Sequence, residues 1–136
     1  MTSHSTVWRA TLSIPVFVVA ASLLTACSSQ ASPYQFTTQT TQVKKSEGVI
    51  VDVRLTKPPS SEPVAGAVIT ATRLDMTPDG MRETTTDIAP QTPPAPGIFR
   101  FKANFTMAGK WQLNLSAQVP GEVQPVTGTV IFTATE

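Results

Sequence analysis

The fold is decided by the stretch PGIFRFKANFTMAGKWQLNL, residues 96–115, which carries two apolar stripes. The members of each stripe are spaced two residues apart: Phe99, Phe101, Ala103 and Phe105, then Trp111, Leu113 and Leu115. Successive side chains of a β-strand point to opposite faces, so each stripe predicts a strand that is buried on one face. Ala108 and Gly109 provide the flexible backbone that a chain reversal needs. We therefore predict a β-hairpin with Trp111 in the core.

Shorter runs on both sides repeat the alternation of apolar and polar residues. They predict strands at residues 34–43, 49–55, 68–74, 83–88 and 126–135. Between them lie turn signals such as Pro78-Asp79-Gly80, and an irregular connection with four prolines at residues 89–96. Strands at intervals of roughly 8–12 residues predict an all-β chain, folded as an antiparallel β-sandwich of about seven strands.

The apolar positions of these strands supply the predicted core. Its members are Val51, Val53, Leu55, Val68, Leu74, Phe99, Phe101, Phe105, Trp111, Leu113, Leu115, Val130 and Phe132. Gly128 falls on the buried face of the last strand, where it predicts a β-bulge or the close approach of another group. Residues 34–43, which are rich in threonine, predict an edge strand and a candidate surface for a partner protein.

The N-terminus predicts an export signal. Residues 1–9 are polar with a positive charge at Arg9, and residues 10–24 are largely apolar. An apolar run of about 15 residues suits a signal peptide and is shorter than the ~20 residues that span a bilayer. The run leads into LTAC at residues 24–27, which resembles a bacterial lipobox. The resemblance implies cleavage before Cys27 and lipid on that residue. The alternative is an incidental cysteine in an ordinary signal or an uncleaved anchor.

These features divide the chain into a lipoprotein signal peptide at residues 1–26, a lipidated tether at 27–33 and a β-sandwich domain at 34–136. Cys27 is the only cysteine, so an intrachain disulfide is excluded. Acyl chains, at about 0.8 kcal/mol per buried CH₂, hold a protein on a membrane. We expect an extracytoplasmic protein, on the periplasmic or cell-surface side, whose first partner is the lipid membrane.

The charge balance of the mature chain excludes one class of partner. Removal of residues 1–26, which include Arg9 and the chain's one histidine, His4, leaves nine basic and nine acidic residues. Nucleic-acid binding needs a basic surface, because phosphate contacts dominate its affinity. A neutral domain therefore predicts no nucleic-acid partner.

Three pieces of the mature chain together resemble the YtkA-like domain, which groups with the FixH family. They are VIVDVRL at 49–55 with PVAGAV at 63–68, LDMTPDGM at 74–81, and PGIF at 96–99 with MAGKWQL at 107–113. The Met-x-Gly-x-Trp-x-Leu part is the most specific, and the resemblance covers residues 48–135. It implies an immunoglobulin-like sandwich outside the cytoplasm that serves as an accessory module. Some such modules are linked to metal-cation or copper handling.

The chemistry of the mature chain predicts no enzyme and no catalytic residue. Without histidine there is no Ser–His or Cys–His nucleophile, and no glycine-rich phosphate loop is present. Asp75 and Asp79 could form a carboxylate pair, but two acids in a turn are more often solvated turn formers. Trp111 could stack on a ligand, but its phase with Leu113 favours a core position.

We expect a non-catalytic binding module that contacts another envelope protein and needs no cofactor. The alternative function is binding or handling of Cu(I), which soft thioether sulfurs select. Its candidate ligands are Met76, Met81 and Met107, of which the first two flank a turn. The simpler interpretation is that Met107 packs against Trp111 or fills a gap, as thioethers do well.

Overall fold

The computed structural model describes residues 32–136, and these form nine β-strands and one turn of 3₁₀ helix at Thr77–Asp79. The strands are β1 (Gln35–Thr37), β2 (Gln42–Lys44), β3 (Val49–Thr56), β4 (Val68–Met76), β5 (Met81–Thr86), β6 (Ile88–Gln91), β7 (Ile98–Ala103), β8 (Gly109–Gln118) and β9 (Val126–Thr135). Within this part of the chain, no helix has both the length and the apolar character to cross a membrane.

The strands form two sheets packed face to face. Sheet A has the order β1-β3-β7-β6, and sheet B has the order β2-β9-β8-β4-β5. All pairs are antiparallel except β2 with β9, which is parallel. Immunoglobulin-like domains divide their strands between two sheets in this order. The predicted all-β, immunoglobulin-like sandwich is therefore confirmed, with nine strands where about seven were expected.

The core lies between the sheets around Trp111, which is 0% exposed. The Phe105 ring meets the Trp111 ring edge-on at 6.0 Å between centroids, and meets Phe132 at 5.8 Å. Such edge-to-face pairs add about 0.5–1.5 kcal/mol each beyond the area they bury. Most of the predicted core is confirmed, because period-two alternation reports directly which side chains face inward. Phe99 is only half-buried.

The predicted hairpin at residues 96–115 is wrong, although both of its strands exist. β7 pairs with β3 and β6 in sheet A, whereas β8 pairs with β4 and β9 in sheet B. The link between them, residues 104–108, carries the chain from one sheet to the other. Phe105 in this link is fully buried, so the link is part of the core rather than an exposed turn.

Two further predicted strands also divide between the sheets. The stretch 34–43 forms β1 in sheet A and β2 in sheet B, both at sheet edges as predicted. The stretch 83–88 divides at Asp87, where β5 of sheet B gives way to β6 of sheet A. β6 extends into the predicted irregular connection and includes Pro90. A proline fits there because β6 is an edge strand, and its missing N–H can face away from the neighbouring strand.

A β-bulge corrects the prediction that Val68 is buried. The register between β4 and β8 shifts between Ile69 and Ala71, so that Ile69 faces Ala117 in the interior while Val68 is 63% exposed. The bulge adds one residue to β4. The β4 residues before it therefore face the opposite way from what a simple alternation predicts. At Gly128 the predicted close approach is confirmed, because a Cβ there would overlap the Phe36 ring.

Candidate functional site

The three methionines proposed as copper ligands lie on β4, on β5 and in the link before β8. Met76 ends β4 and stands opposite Met81, the first residue of β5. Met107 precedes Gly109, where a Cβ would lie 2.7 Å from the Met76 methyl carbon. Met76 is fully buried, whereas Met81 and Met107 are 37% and 44% exposed. Two of the three candidate side chains are therefore exposed to solvent, and the third is enclosed in the core.

The Met-x-Gly-x-Trp-x-Leu piece is explained by packing. Gly109 has a φ of +137°, and a Cβ there would lie 2.5 Å from Asp79 Oδ2. The N–H of the next residue donates a hydrogen bond to the same oxygen at 2.7 Å. Trp111 Nε1 donates to the Met107 carbonyl at 3.0 Å, which satisfies the one polar atom of a buried indole. The glycine lets the backbone approach the carboxylate, and the tryptophan fills the core.

Asp75, predicted to be a solvated turn former, is buried at 2% exposure. Its Oδ1 accepts hydrogen bonds from the N–H and hydroxyl of Thr77, at 3.0 and 2.5 Å. Its Oδ2 accepts from Arg73 Nε at 2.8 Å and from Asn114 Nδ2 at 3.4 Å. Burial alone would raise the pKa of Asp75, but the hydrogen bonds from Thr77 and Arg73 together outweigh it and lower that pKa. Asp75 is therefore ionised at neutral pH and anchors the β4 end of the turn.

Replacement of Asp75 by asparagine is expected to make the stability of the fold depend less on pH in the acidic range. A carboxyl whose pKa is lowered by folding stabilises the fold fully above its unfolded pKa of about 4, and this stabilisation is lost as the pH falls through the folded pKa. The wild type should therefore lose more stability than Asp75→Asn between about pH 5 and pH 2. Urea midpoints across this range measure the difference. Glu83→Gln, at an exposed carboxylate on β5, is the control, and parallel wild-type and Asp75→Asn curves would contradict the prediction.

A second ion pair lies on the outer face of sheet A. Asp52 on β3 stands opposite Arg100 on β7, and the guanidinium donates Nε and Nη2 to the two carboxylate oxygens at 2.8 Å each. Hydrogen bonding to Arg100 is the main reason that the pKa of Asp52 is lowered. Both side chains are more than a third exposed, so the pair contributes little to stability.

One half of β4 is an open sheet edge. β5 pairs with β4 only at Leu74, Asp75 and Met76, and after β5 the chain crosses to β6 in sheet A. In the part of the chain that the structure describes, no strand pairs with residues 68–73 on the side away from β8. The N–H and C=O groups on that side are therefore free to pair with another strand.

An apolar trough runs beside this edge, between β4 and the edge strand β6 of sheet A. It has a volume of about 250 Å³. Its apolar lining comprises Ala67, Val68, Ile69, Pro90, Pro93, Phe99 and Phe101. The one charged residue in its lining, Arg100, is already bound through both carboxylate oxygens of Asp52. The trough is therefore apolar and close to electrically neutral.

Sequence reasoning missed both the open edge and the burial of Asp75. The edge depends on where β5 leaves β4, and no local pattern marks that point. Asp75 did carry a signal, because Asp-x-Thr at residues 75–77 allows the carboxylate to bond the backbone two residues on. The predicted lipidation site, Cys27, and the signal peptide lie outside the residues that the structure describes.

Comparison with known proteins gives the family. The model of the YtkA-like family matches residues 28–116. The chain belongs to the YtkA-like family. Within this YtkA-like domain the match contains all three of the sequence pieces quoted above, and it ends in β8, before β9. The predicted grouping with FixH stays a prediction.

Among solved structures, the YtkA-like chain is similar to the Lin-41 filamin domain. The two are 17% identical, with a TM-score of 0.46, over 77% of this chain and 94% of the filamin domain. No curated protein matches the chain in sequence. Among residues 32–136, no group of three or more His, Cys, Asp or Glu side chains is placed to hold a metal ion.

Proposed function

We propose that this YtkA-like protein is a non-catalytic binding module, held outside the cytoplasm by lipid on Cys27, that contacts another envelope protein. The observation that carries the proposal is the open edge of β4, because an unpaired strand edge is a ready template for another chain. The edge at residues 34–43, the surface expected from sequence, is divided into two strands of three residues each. The open half of β4 offers six consecutive residues and is the better candidate.

The tether supports the same proposal. Residues 28–33 are polar, and the chain enters the sandwich at Tyr34, whose hydroxyl donates to Glu122 Oε1 at 2.8 Å. Glu122 belongs to the connection between β8 and β9, next to Gln118, the β8 residue paired with Val68. Tyr34 and the start of the open edge thus lie at the same end of the sandwich. A partner in the same membrane would meet this end first.

The anchor is tested in the cells that produce the protein. The full chain is expected in the membrane fraction, with an N-terminal peptide that begins at an acylated Cys27 in mass spectrometry. Cys27→Ala should lack the acyl groups. A chain that keeps residues 1–26, or a mature N-terminus at Cys27 without acyl groups, would contradict the anchor.

The binding function is tested by affinity purification of the full chain from solubilised membranes, followed by mass spectrometry. We expect a recurrent envelope protein that is absent when an unrelated lipoprotein is purified in the same way. Purification of the YtkA-like protein alone, after cross-linking in intact cells, would contradict a binding role.

The alternative function, Cu(I) binding, is favoured by one observation: Met76 and Met81 are partners across β4 and β5. Titration of the full chain with Cu(I) under reducing conditions tests it. The alternative predicts saturable binding that a Met81→Leu/Met107→Leu double variant loses, because these are the two exposed thioethers. Equal Cu(I) binding by the wild type and the double variant would exclude these ligands.

A further inference from the structure

We propose that the open edge of β4 takes an extended segment of the partner protein as an added β-strand, with an apolar side chain in the trough and one acidic residue at the β5 end. This inference rests on the proposed binding function and names its surface and the chemistry of its partner. The edge comprises residues 68–73, VITATR. The trough is the apolar cavity between this edge and β6.

The unpaired backbone groups of the edge favour a β-strand as its occupant. Five of its six residues, all except Thr70 in the β-bulge, pair with β8 on one side, and among the residues that the structure describes no strand pairs with them on the other. Val68 is 63% exposed, and Thr70, Ala71 and Arg73 are also exposed, so nothing in residues 32–136 covers this edge. A peptide that adds to a sheet edge gains affinity from main-chain hydrogen bonds and specificity from pockets for alternate side chains. β5 already occupies this track along the rest of β4, so an added strand would continue its line.

The lining of the trough favours an apolar side chain of the partner. Ile69, Phe99 and Pro90 contribute to its lining, and Ile69 and Phe99 are partly buried residues packed against the core. On an added strand, every second side chain would point toward this lining, as the side chain of Ile69 does from β4. Desolvation of a charged side chain there would have no compensating partner, because Arg100 is bound to Asp52.

The β5 end of the edge is positive. Arg73 is about half exposed and donates Nη2 to the Arg82 carbonyl, and Arg82 lines the same surface pocket with Asp75. Among the residues that line this pocket, two guanidinium groups and one carboxylate leave one net positive charge. A carboxylate on the partner would be attracted there, and a lysine would be repelled.

A second copy of this chain is a poorer occupant. The edge segment of a second copy, VITATR at residues 68–73, contains the basic residue Arg73 and no acidic residue. It would therefore bring no carboxylate to the positively charged end of the edge. The proposed occupant is a segment of a different protein, and dimerisation through β4 would overturn the proposal.

The test uses fluorescence polarisation with the full chain in detergent micelles. The probe is a dye-labelled peptide of alternating valine and threonine with one terminal aspartate. Two control peptides carry lysine in place of the aspartate, or N-methyl groups on alternate amides. We expect saturable binding of the first, about fivefold weaker binding of the second, and none of the third, because the strand must donate its amides. Absence of binding by the first peptide, or equal binding of all three, would overturn the proposal.

Matched variants locate the binding surface. Ile69→Lys is expected to weaken peptide binding at least about tenfold, whereas Ile131→Lys, at an exposed isoleucine on the outer face of β9, should leave it unchanged. Pro93→Lys tests the opposite wall of the trough from an exposed position, if Ile69→Lys does not fold. Arg82→Glu should reverse the preference between the aspartate and lysine peptides. Wild-type binding by a folded trough variant, or a chain dimer that Ile69→Lys separates, would overturn the proposal.

Photo-cross-linking in cells separates this inference from the proposed function. Benzoylphenylalanine is placed at Ala71, on the edge, or at Thr133, on the outer face of β9. We expect cross-links from Ala71 only, to a segment with apolar residues at alternate positions, identified by mass spectrometry. A partner cross-linked only from Thr133 would overturn the β4 assignment and leave the binding function intact. Failure of both sites, with no partner in affinity purification, would contradict the binding function itself.

Discussion

Replacement of Trp111 by alanine is expected to lower the free energy of unfolding by about 3–5 kcal/mol. The indole is fully buried and contacts Phe105 edge-on, and its Nε1 donates to the Met107 carbonyl at 3.0 Å. The variant loses the transfer free energy of the ring and leaves a cavity between the sheets, because a packed core relaxes only in part. Domains of this size are stable by about 5–15 kcal/mol, so the loss would be a large fraction of the total.

Chemical denaturation of the full chain measures this effect. Trp111→Phe is the matched control, because it keeps an aromatic ring beside Phe105 and removes the hydrogen bond and part of the volume. It should cost less than Trp111→Ala. An alanine variant that unfolds at the wild-type denaturant concentration would show that Trp111 is not the centre of the core.

Replacement of Gly97 by alanine is expected to cost about 2–5 kcal/mol, from backbone strain and steric overlap together. Gly97 has a φ of +78°, and a Cβ there would overlap Pro63 Cβ, at 2.9 Å from the Pro63 carbonyl carbon and 3.0 Å from Val64 N. The neighbouring backbone cannot move away freely. Leu55 N–H donates to the Gly97 carbonyl, and Val64 N–H donates to the Leu55 carbonyl.

Gly80→Ala separates the two causes. Gly80 has nearly the same φ, +76°, but a Cβ there would meet nothing within 4 Å. It should therefore show the backbone strain alone, about 1–2 kcal/mol. The difference between the two variants in urea denaturation measures the overlap with Pro63 and Val64. Equal losses would contradict the close approach of Gly97 to this segment.

The alternation of apolar residues predicted which side chains are buried, because that property is local. Val51, Val53 and Leu55 face the core as expected, and so do Trp111 and its strand neighbours. The same alternation does not predict which other strand each strand pairs with. For residues 96–115 a hairpin and a crossing between sheets require the same two apolar stripes, and the choice depends on whether Phe105 fits between the sheets.

The candidate site was harder to predict from the sequence than the fold. The open edge arises because Asp87 carries the chain away from β4, and this crossing depends on contacts between segments distant in sequence. The buried carboxylate of Asp75 accepts hydrogen bonds from Arg73, Thr77 and Asn114. Asn114 lies 39 positions away in the sequence. Val68 was misplaced by a bulge that only the pairing with β8 reveals.

The position of β9 has a consequence for the order of events during biogenesis. β9 lies between β2 and β8, so the last strand of the domain must slot beside one of the first before sheet B is whole. Pairings between such distant segments form in milliseconds to seconds rather than microseconds. A chain threaded through an export channel from its N-terminus would therefore emerge almost entirely before it could close. For the export that we propose, we therefore expect an intermediate that stays unfolded until β9 has crossed the membrane.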